Sequence, residues 1–242
     1  MMNPIDIKFN VLSDTPLGKD PDQHSPTLRL YHQLLWSKPL PNGENFILNL
    51  SKPRLLRHSS ENLGDFTLSS DGIGRTFVGI KKMKHLVDQI PSEMIGPINE
   101  LCYTIGGFII FPSNRVKMKP TINGAREINS KIEDRFDLTL ECIRLFYNGD
   151  ESPLSKTLIL YESFFKLFVD FRGYVNHFLL QDLVLNNSTQ INYWHPFTSF
   201  NESPLPSNST EFYLYLKKVV EFVQSRNERI FEYSKRQVNF KD

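Results

Sequence analysis

Apolar and polar residues alternate over Ile5-Asp6-Ile7-Lys8-Phe9-Asn10-Val11, the pattern of a half-buried strand. A loop rich in Pro, Gly and Asp follows as far as Pro26, and Asp14, Asp20 and Asp22 within it read as turn formers because they lack calcium-loop spacing. Ser25-Pro26 is a helix start with a serine cap and proline in the first turn, and Leu28, Tyr31, Leu34 and Leu35 recur at helical spacing until Pro39. Strand-like pieces at 46–50 and 65–69 are followed by the breakers Gly72 and Gly74. A helix is predicted over 81–90. The run 103–111, continuously apolar toward its end, predicts a central strand buried on both faces and stopped by Pro112. Arg115-Val116-Lys117-Met118-Lys119 alternates again, and as a strand it would place its three cations on one face.

The period then becomes helical. Ile132, Phe136, Leu140, Ile143 and Tyr147 form one stripe of a helix over 126–147. Ser152-Pro153 opens a second helical segment with Leu158, Tyr161, Phe164, Phe165, Phe168 and Phe171, so aromatic that the fold must cover it, with Gly173 bending or dividing it. After a loop of Ser, Asn and Pro, a last amphipathic helix is expected over 210–235 with Ser209 as its cap. The fold class read from these elements is α+β: an N-terminal mixed sheet region packed against a C-terminal bundle of about three long helices. The expected organisation is a single compact domain over residues 1–242, with a mixed half at 1–125 and a mainly helical half at 126–242.

Composition narrows the function. The 242 residues carry 28 Lys plus Arg against 27 Asp plus Glu, with 40% apolar and 23% charged residues, which excludes a disordered tail protein, a collagen-like chain and a strongly basic nucleic-acid wrapper. Cys102 and Cys142 stand in no metal or redox spacing, which suits free thiols in a reducing, cytoplasmic setting. No charged-then-apolar leader and no span-length apolar run appears, so neither secretion nor membrane insertion is expected. The six histidines form no ligand pairs, and Ile105-Gly106-Gly107 fits neither a Walker loop nor a dinucleotide fingerprint. No Gly-x-Ser-x-Gly elbow is present.

Four places concentrate chemistry. On the 126–147 helix, Asp134, Asp137, Glu141 and Arg144 fall within one arc, either a cleft wall on which Glu141 is tuned by its neighbours or an ordinary solvated edge. Arg29, Tyr31, His32, Trp36 and Lys38 gather on and just after one short helix. Arg29 and His32, three apart, are placed to hold a phosphate or carboxylate, although a packed histidine reads equally well. Ser69, Ser70 and Asp71 close a strand ahead of a glycine, either a ligand-binding end or a turn. Positive charge clusters at Arg75, Lys81, Lys82, Lys84 and His85, and again at Arg115, Lys117, Lys119, Arg126 and Lys131, as nucleic-acid contact or as solvated surface. Arg172 and His177 also have the Arg-x4-His spacing of HEPN ribonucleases.

Taken together, the strings at 31–43, 68–71, 105–107, 111–112, 121–123 and 134–144 resemble a bacterial family of uncharacterised proteins, which implies a bacterial origin and assigns no activity. Arg29, Ser69 or Ser70, and Glu141 also follow the order of ADP-ribosyltransferases of the Arg-Ser-Glu type, although Glu141 falls on a predicted helix and the serine motif is incomplete. That likeness implies NAD as the cosubstrate, with Arg29 on the pyrophosphate, Ser69 or Ser70 ordering the ribose and Glu141 stabilising the oxocarbenium-like transition state. The expectation is an enzyme acting on a nucleotide or nucleic acid, such as an ADP-ribosylating stress or phage-defence toxin. The alternatives are a HEPN-like ribonuclease with Arg172 and His177, and a non-catalytic binding protein using the basic clusters and aromatic residues.

Overall fold

The computed structural model describes residues 5–50 and 54–239. The class is α+β. Helix α1 (Pro26–Trp36) begins where the sequence places it: Ser25 Oγ accepts the Leu28 N–H at 3.1 Å and donates to Asp14 Oδ1 at 2.6 Å. Its apolar face, with Leu28, Leu35 and Trp36 fully buried, lies in the core.

The sheet has β2 (Gly64–Gly72) at its centre, antiparallel to β1 (Leu56–Ser60) on one side and to β3 (Phe108–Pro112) on the other. Phe66, Leu68 and Ser70 of β2 are buried, while Ser69 and Asp71 point to the opposite, more open face, as a period of two requires. The run at 103–111 is therefore corrected. Tyr103 ends helix α2 (Ser92–Cys102), Ile105–Gly107 is a 3-10 turn, and only Phe108–Pro112 is strand, at the sheet's edge. All five residues of β3 are nonetheless buried, and a second element covers its approach: Arg226 Nη1 donates to the Gly106 and Phe108 carbonyls at 2.8 and 2.7 Å. A Cβ at Gly106 or Gly107 would collide with Asn227 or with the Cys102 carbonyl, so both glycines serve close approach.

Other local patterns lost to tertiary structure. Residues 5–11 form no strand; Val11–Asp14 is a 3-10 turn tied to Tyr103 by Val11 N–H to its carbonyl at 3.0 Å. Residues 115–119 form a turn, with Lys117 and Met118 at φ 50° and 57°, so they cannot present their cations as one strand face. The 126–147 helix is two: α3 (Ile122–Ile128) and α4 (Phe136–Asn148), divided by Glu133 and Asp134 at φ 49° and 58°. Ile132 stays in phase and fully buried across the break, which is why periodicity runs through it. Gly149, at φ 80°, ends α4.

The aromatic segment is divided into short helices ending in α5 (Phe171–His177), and Phe164, Phe165, Phe168, Tyr174 and Phe178 pack ring against ring beside Trp36. The chain closes with α6 (Ser209–Asn239), capped by Asn208, whose Oδ1 accepts the Glu211 N–H at 3.0 Å, rather than by Ser209. Its buried residues join one hydrophobic cluster with those of α1, β2, β3 and α4. Among the described residues no helix is long and apolar enough to cross a membrane.

Candidate functional site

The open end of β2, the turn at Pro21–His24, the segment after Gly72 and the start of α3 surround a cleft of about 810 Å³. That is within the size range of small-molecule sites, roughly 300–1,000 Å³. Its wall includes Asp22, Ser69, Asp71, Arg75, Asn123 and Asp134.

The wall is organised by Arg126, a fully buried guanidinium on α3. Thr121 caps that helix, its Oγ1 accepting the Gly124 N–H at 3.3 Å. Arg126 Nη1 donates to Asp71, Nη2 lies 3.2 Å from Asp134 Oδ1, and Nε donates to Thr139 Oγ1 at 2.9 Å. Asp134 reaches this position because it has left helical conformation, and its Oδ2 lies 3.4 Å from Arg75 Nε. The four side chains form the chain Asp71–Arg126–Asp134–Arg75, two carboxylates against two guanidiniums. Two successive non-glycine residues at positive φ are unfavourable locally, and strain of this kind concentrates at functional positions.

Asp22 completes the wall. Its Oδ2 accepts the Gly72 N–H at 3.2 Å, and its own N–H donates to Asp20 Oδ1 at 3.1 Å. Burial, and then the neighbouring Asp20, push its carboxyl up to about 7, against the Gly72 N–H and the Arg126 charge, which favour ionisation. A carboxyl that holds its proton near neutrality beside ion-paired carboxylates is the arrangement that divides acid and base roles between like groups.

Of the residues singled out in the sequence, Ser69, Ser70 and Asp71 line this cleft. Arg29 and Glu141 do not. Arg29 Nη2 donates to the Leu50 and Leu55 carbonyls at 3.3 and 3.1 Å, tying down the chain ahead of β1. Glu141, 6% exposed, is clasped by Arg144 through two hydrogen bonds of 2.8 Å. Asp137 is fully buried between Arg135 and the Trp194 N–H, so of the expected acidic stripe only Asp134 reaches the cleft.

His32 is a packed histidine. Trp36 Nε1 donates to its Nδ1 at 3.0 Å, so in the neutral ring the proton sits on Nε2, which faces Ser70 Oγ at 2.9 Å. The ring is thus a donor to the serine and cannot take its proton. Burial, with Arg226 nearby, lowers its pKa to about 3. Trp36 is in the core, Tyr31 packs edge-on against Phe9, and Lys38 donates to the His177 carbonyl at 2.5 Å between the Trp36 and Tyr233 rings. None of the three lines the cleft. Arg172 is exposed whereas His177 is buried against Phe168 and Trp36, so the two share no open surface. The basic clusters are also divided: Arg126 is internal, Lys82 pairs with Glu133 and Lys84 with Asp88, while Lys81, Arg115, Lys117 and Lys119 are exposed.

Asp22 and Asn123 line the cleft without having been singled out in the sequence, and Arg75 and the buried Arg126, read there as members of basic clusters, instead pair with its carboxylates. Asp22 read as a turn former, and only the Gly72 amide 50 residues away makes it a wall of the site. Among the described residues no group of three or more His, Cys, Asp or Glu is placed to hold a metal ion. No curated protein and no solved structure matches the chain. A family model does match, and it covers residues 5–230, including every cleft residue named here: the chain belongs to the family of unknown function DUF6994.

Proposed function

We propose that the protein is an enzyme acting on a small nucleotide-like molecule in the Asp22–Asp71 cleft, breaking or transferring at a glycosidic bond by carboxyl chemistry. Asp22 serves as the proton donor to the leaving base, the paired carboxylates of Asp71 and Asp134 stabilise the positive charge that develops on the sugar, and water adds to the sugar carbon and returns a proton to the Asp22 carboxylate. The observation that carries this reading is the meeting, on one open wall, of a carboxyl with a value near 7 and two carboxylates organised by a buried arginine. Tyr103 adds aromatic surface for a base, and Arg54 and Arg75 add cations. This keeps the N-glycosidic chemistry of the ADP-ribosyl reading, with NAD among the substrates to test, and moves its centre from Arg29 and Glu141 to Asp22.

The test is release of free base from NAD, nucleosides and nucleotides, followed by chromatography with wild-type protein and with Asp22→Asn. The expected result is turnover of at least one nucleoside or nucleotide, reduced about 100-fold or more by the substitution, as for loss of a general acid; nicotinamide leaves NAD neutral and takes no proton, so NAD cleavage is not expected to depend on Asp22 in this way. Absence of turnover across the nucleosides and nucleotides, or an unchanged rate on them in Asp22→Asn, overturns the reading.

A further inference from the structure

The chain leaving β2, Gly74-Arg75-Thr76-Phe77-Val78, lines the cleft and belongs to no helix or strand. None of its backbone N–H groups donates to a protein acceptor among the described residues, whereas the flanking Ile73 and Ile80 N–H groups bond to the Gly107 and Phe77 carbonyls at 2.8 and 3.0 Å. Thr76 and Phe77 are only 8% and 2% exposed, and amides so placed are normally paired, because an unpaired buried N–H costs about as much as a lost hydrogen bond. Phe77 takes a φ of 61°, the left-handed conformation found in turns where successive N–H groups converge on an anion.

Arg75 supplies the matching charge. Asp134 holds it through Nε at 3.4 Å, and the two terminal nitrogens of its guanidinium make no hydrogen bond among the described residues, leaving the side chain 34% exposed. A guanidinium anchored on one edge offers the other as a fork for two oxygens.

We propose that this wall binds phosphate, so that the molecule taken by the cleft is a phosphate ester gripped by the Gly74–Val78 amides and the Arg75 fork. Several unpaired amides and a fork exceed what the two oxygens of a carboxylate can use, and they suit the three terminal oxygens of a phosphate monoester. Of the five carboxylates that line the cleft, Asp71 and Asp134 are each matched by a guanidinium, whereas Asp20, Asp22 and Glu127 have no ion pair among the described residues, so the phosphate is held at the Arg75 end of the wall. The proposal deepens the reading of the cleft as a nucleotide site and rests on it for the rest of the substrate. The phosphate contacts themselves do not involve Asp22.

The experiment uses the full chain labelled with ¹⁵N, titrated with inorganic phosphate, ribose, ribose 5-phosphate and AMP while the amide signals are followed. Phosphate and both phosphate esters are expected to shift the 74–78 amides at millimolar concentration, and ribose is not. Tighter binding of AMP than of ribose 5-phosphate identifies a nucleotide as the source of the phosphate, and equal binding identifies a sugar phosphate. Arg75→Ala is expected to weaken phosphate about tenfold or more, as loss of a charge-assisted pair does, with Arg75→Lys intermediate. Asp22→Asn is expected to bind phosphate no more weakly than wild type.

Amides that stay in place with phosphate, or shifts that persist undiminished in a folded Arg75→Ala, overturn the proposal. Should Arg75→Ala not fold, the wild-type amide shifts and the Arg75→Lys affinity decide the matter alone. Shifts with phosphate but no base release from any compound sink the glycosidic reading and keep the phosphate site. Equal release from nucleosides and nucleotides does the reverse.

Discussion

Replacing Asp22 with asparagine tests the electrostatics of the cleft through stability. The amide keeps an oxygen for the Gly72 N–H and cannot ionise. In the folded protein the carboxyl titrates at about 7 against an ordinary value of 3.8, so the native state holds this proton more tightly than the unfolded chain. Between those two values the native state carries the extra proton, and stability falls as pH rises through the window; above 7 the whole penalty is present and below 3.8 none is. At about 1.36 kcal/mol per pKa unit the penalty has a ceiling of about 4 kcal/mol. Water at the cleft mouth and adjustment of Asp20 reduce it to about 1–3 kcal/mol. Urea unfolding is therefore expected to show Asp22→Asn more stable than wild type by that amount at about pH 8, with the gap narrowed by more than half at about pH 4. A gap of equal size at both pH values, or a variant less stable at the higher one, would refute the assignment of a buried, proton-holding carboxyl.

Other expectations follow from single side chains. His32 titrates at about 3 when folded and near 6.5 when unfolded, so stability drains as pH falls through that interval; His32→Gln is expected to flatten this acid limb in unfolding experiments at pH 7 and pH 4.5, at some cost in absolute stability. Arg226 is fully buried and donates to the Gly106, Phe108 and Phe178 carbonyls, so Arg226→Ala orphans three acceptors and should lower stability by about 3–5 kcal/mol in urea unfolding. Glu141→Gln loses the Arg144 clasp and is expected to cost about 1 kcal/mol while leaving any base-release activity unchanged; a collapse of activity would return Glu141 to the centre of the mechanism. Gly149→Ala forces a Cβ onto a residue at φ 80° and should cost about 1 kcal/mol, read as a lower Tm.

The energetics of the cleft and of the core are linked through the buried arginines. Arg126 and Arg226 lie at the same depth, yet one is balanced by Asp71 and Asp134 and the other only by backbone carbonyls. Burial lowers the pKa of both, and for Arg226, which lacks a paired carboxylate, it falls to about 9. Arg226 thus fixes the edge of β3 and the turn before it, whereas Arg126 holds two carboxylates in a cleft they would otherwise leave for water.

Local grammar was legible in the order of residues alone. Ser25-Pro26 starts α1, the strand at 65–69 carries Ser69 and Asp71 at its end, and the aromatic run after Ser152 is covered by the fold. Each depends on interactions within a few residues, where spacing and cap chemistry carry the information. Tertiary structure decided where those patterns gave way. Periodicity runs across the left-handed Glu133–Asp134 break because Ile132 stays in phase, and the apolar 103–111 run does not reveal that Arg226, more than a hundred residues later, shields the strand within it. The candidate site belongs to this second kind. Asp22 meets the Gly72 amide, and Arg126 meets Asp71, across about 50 residues of chain. A charge in sequence has no address until folding supplies its partner, and burial and proximity, the two quantities that set the chemistry of a carboxyl, exist only in three dimensions.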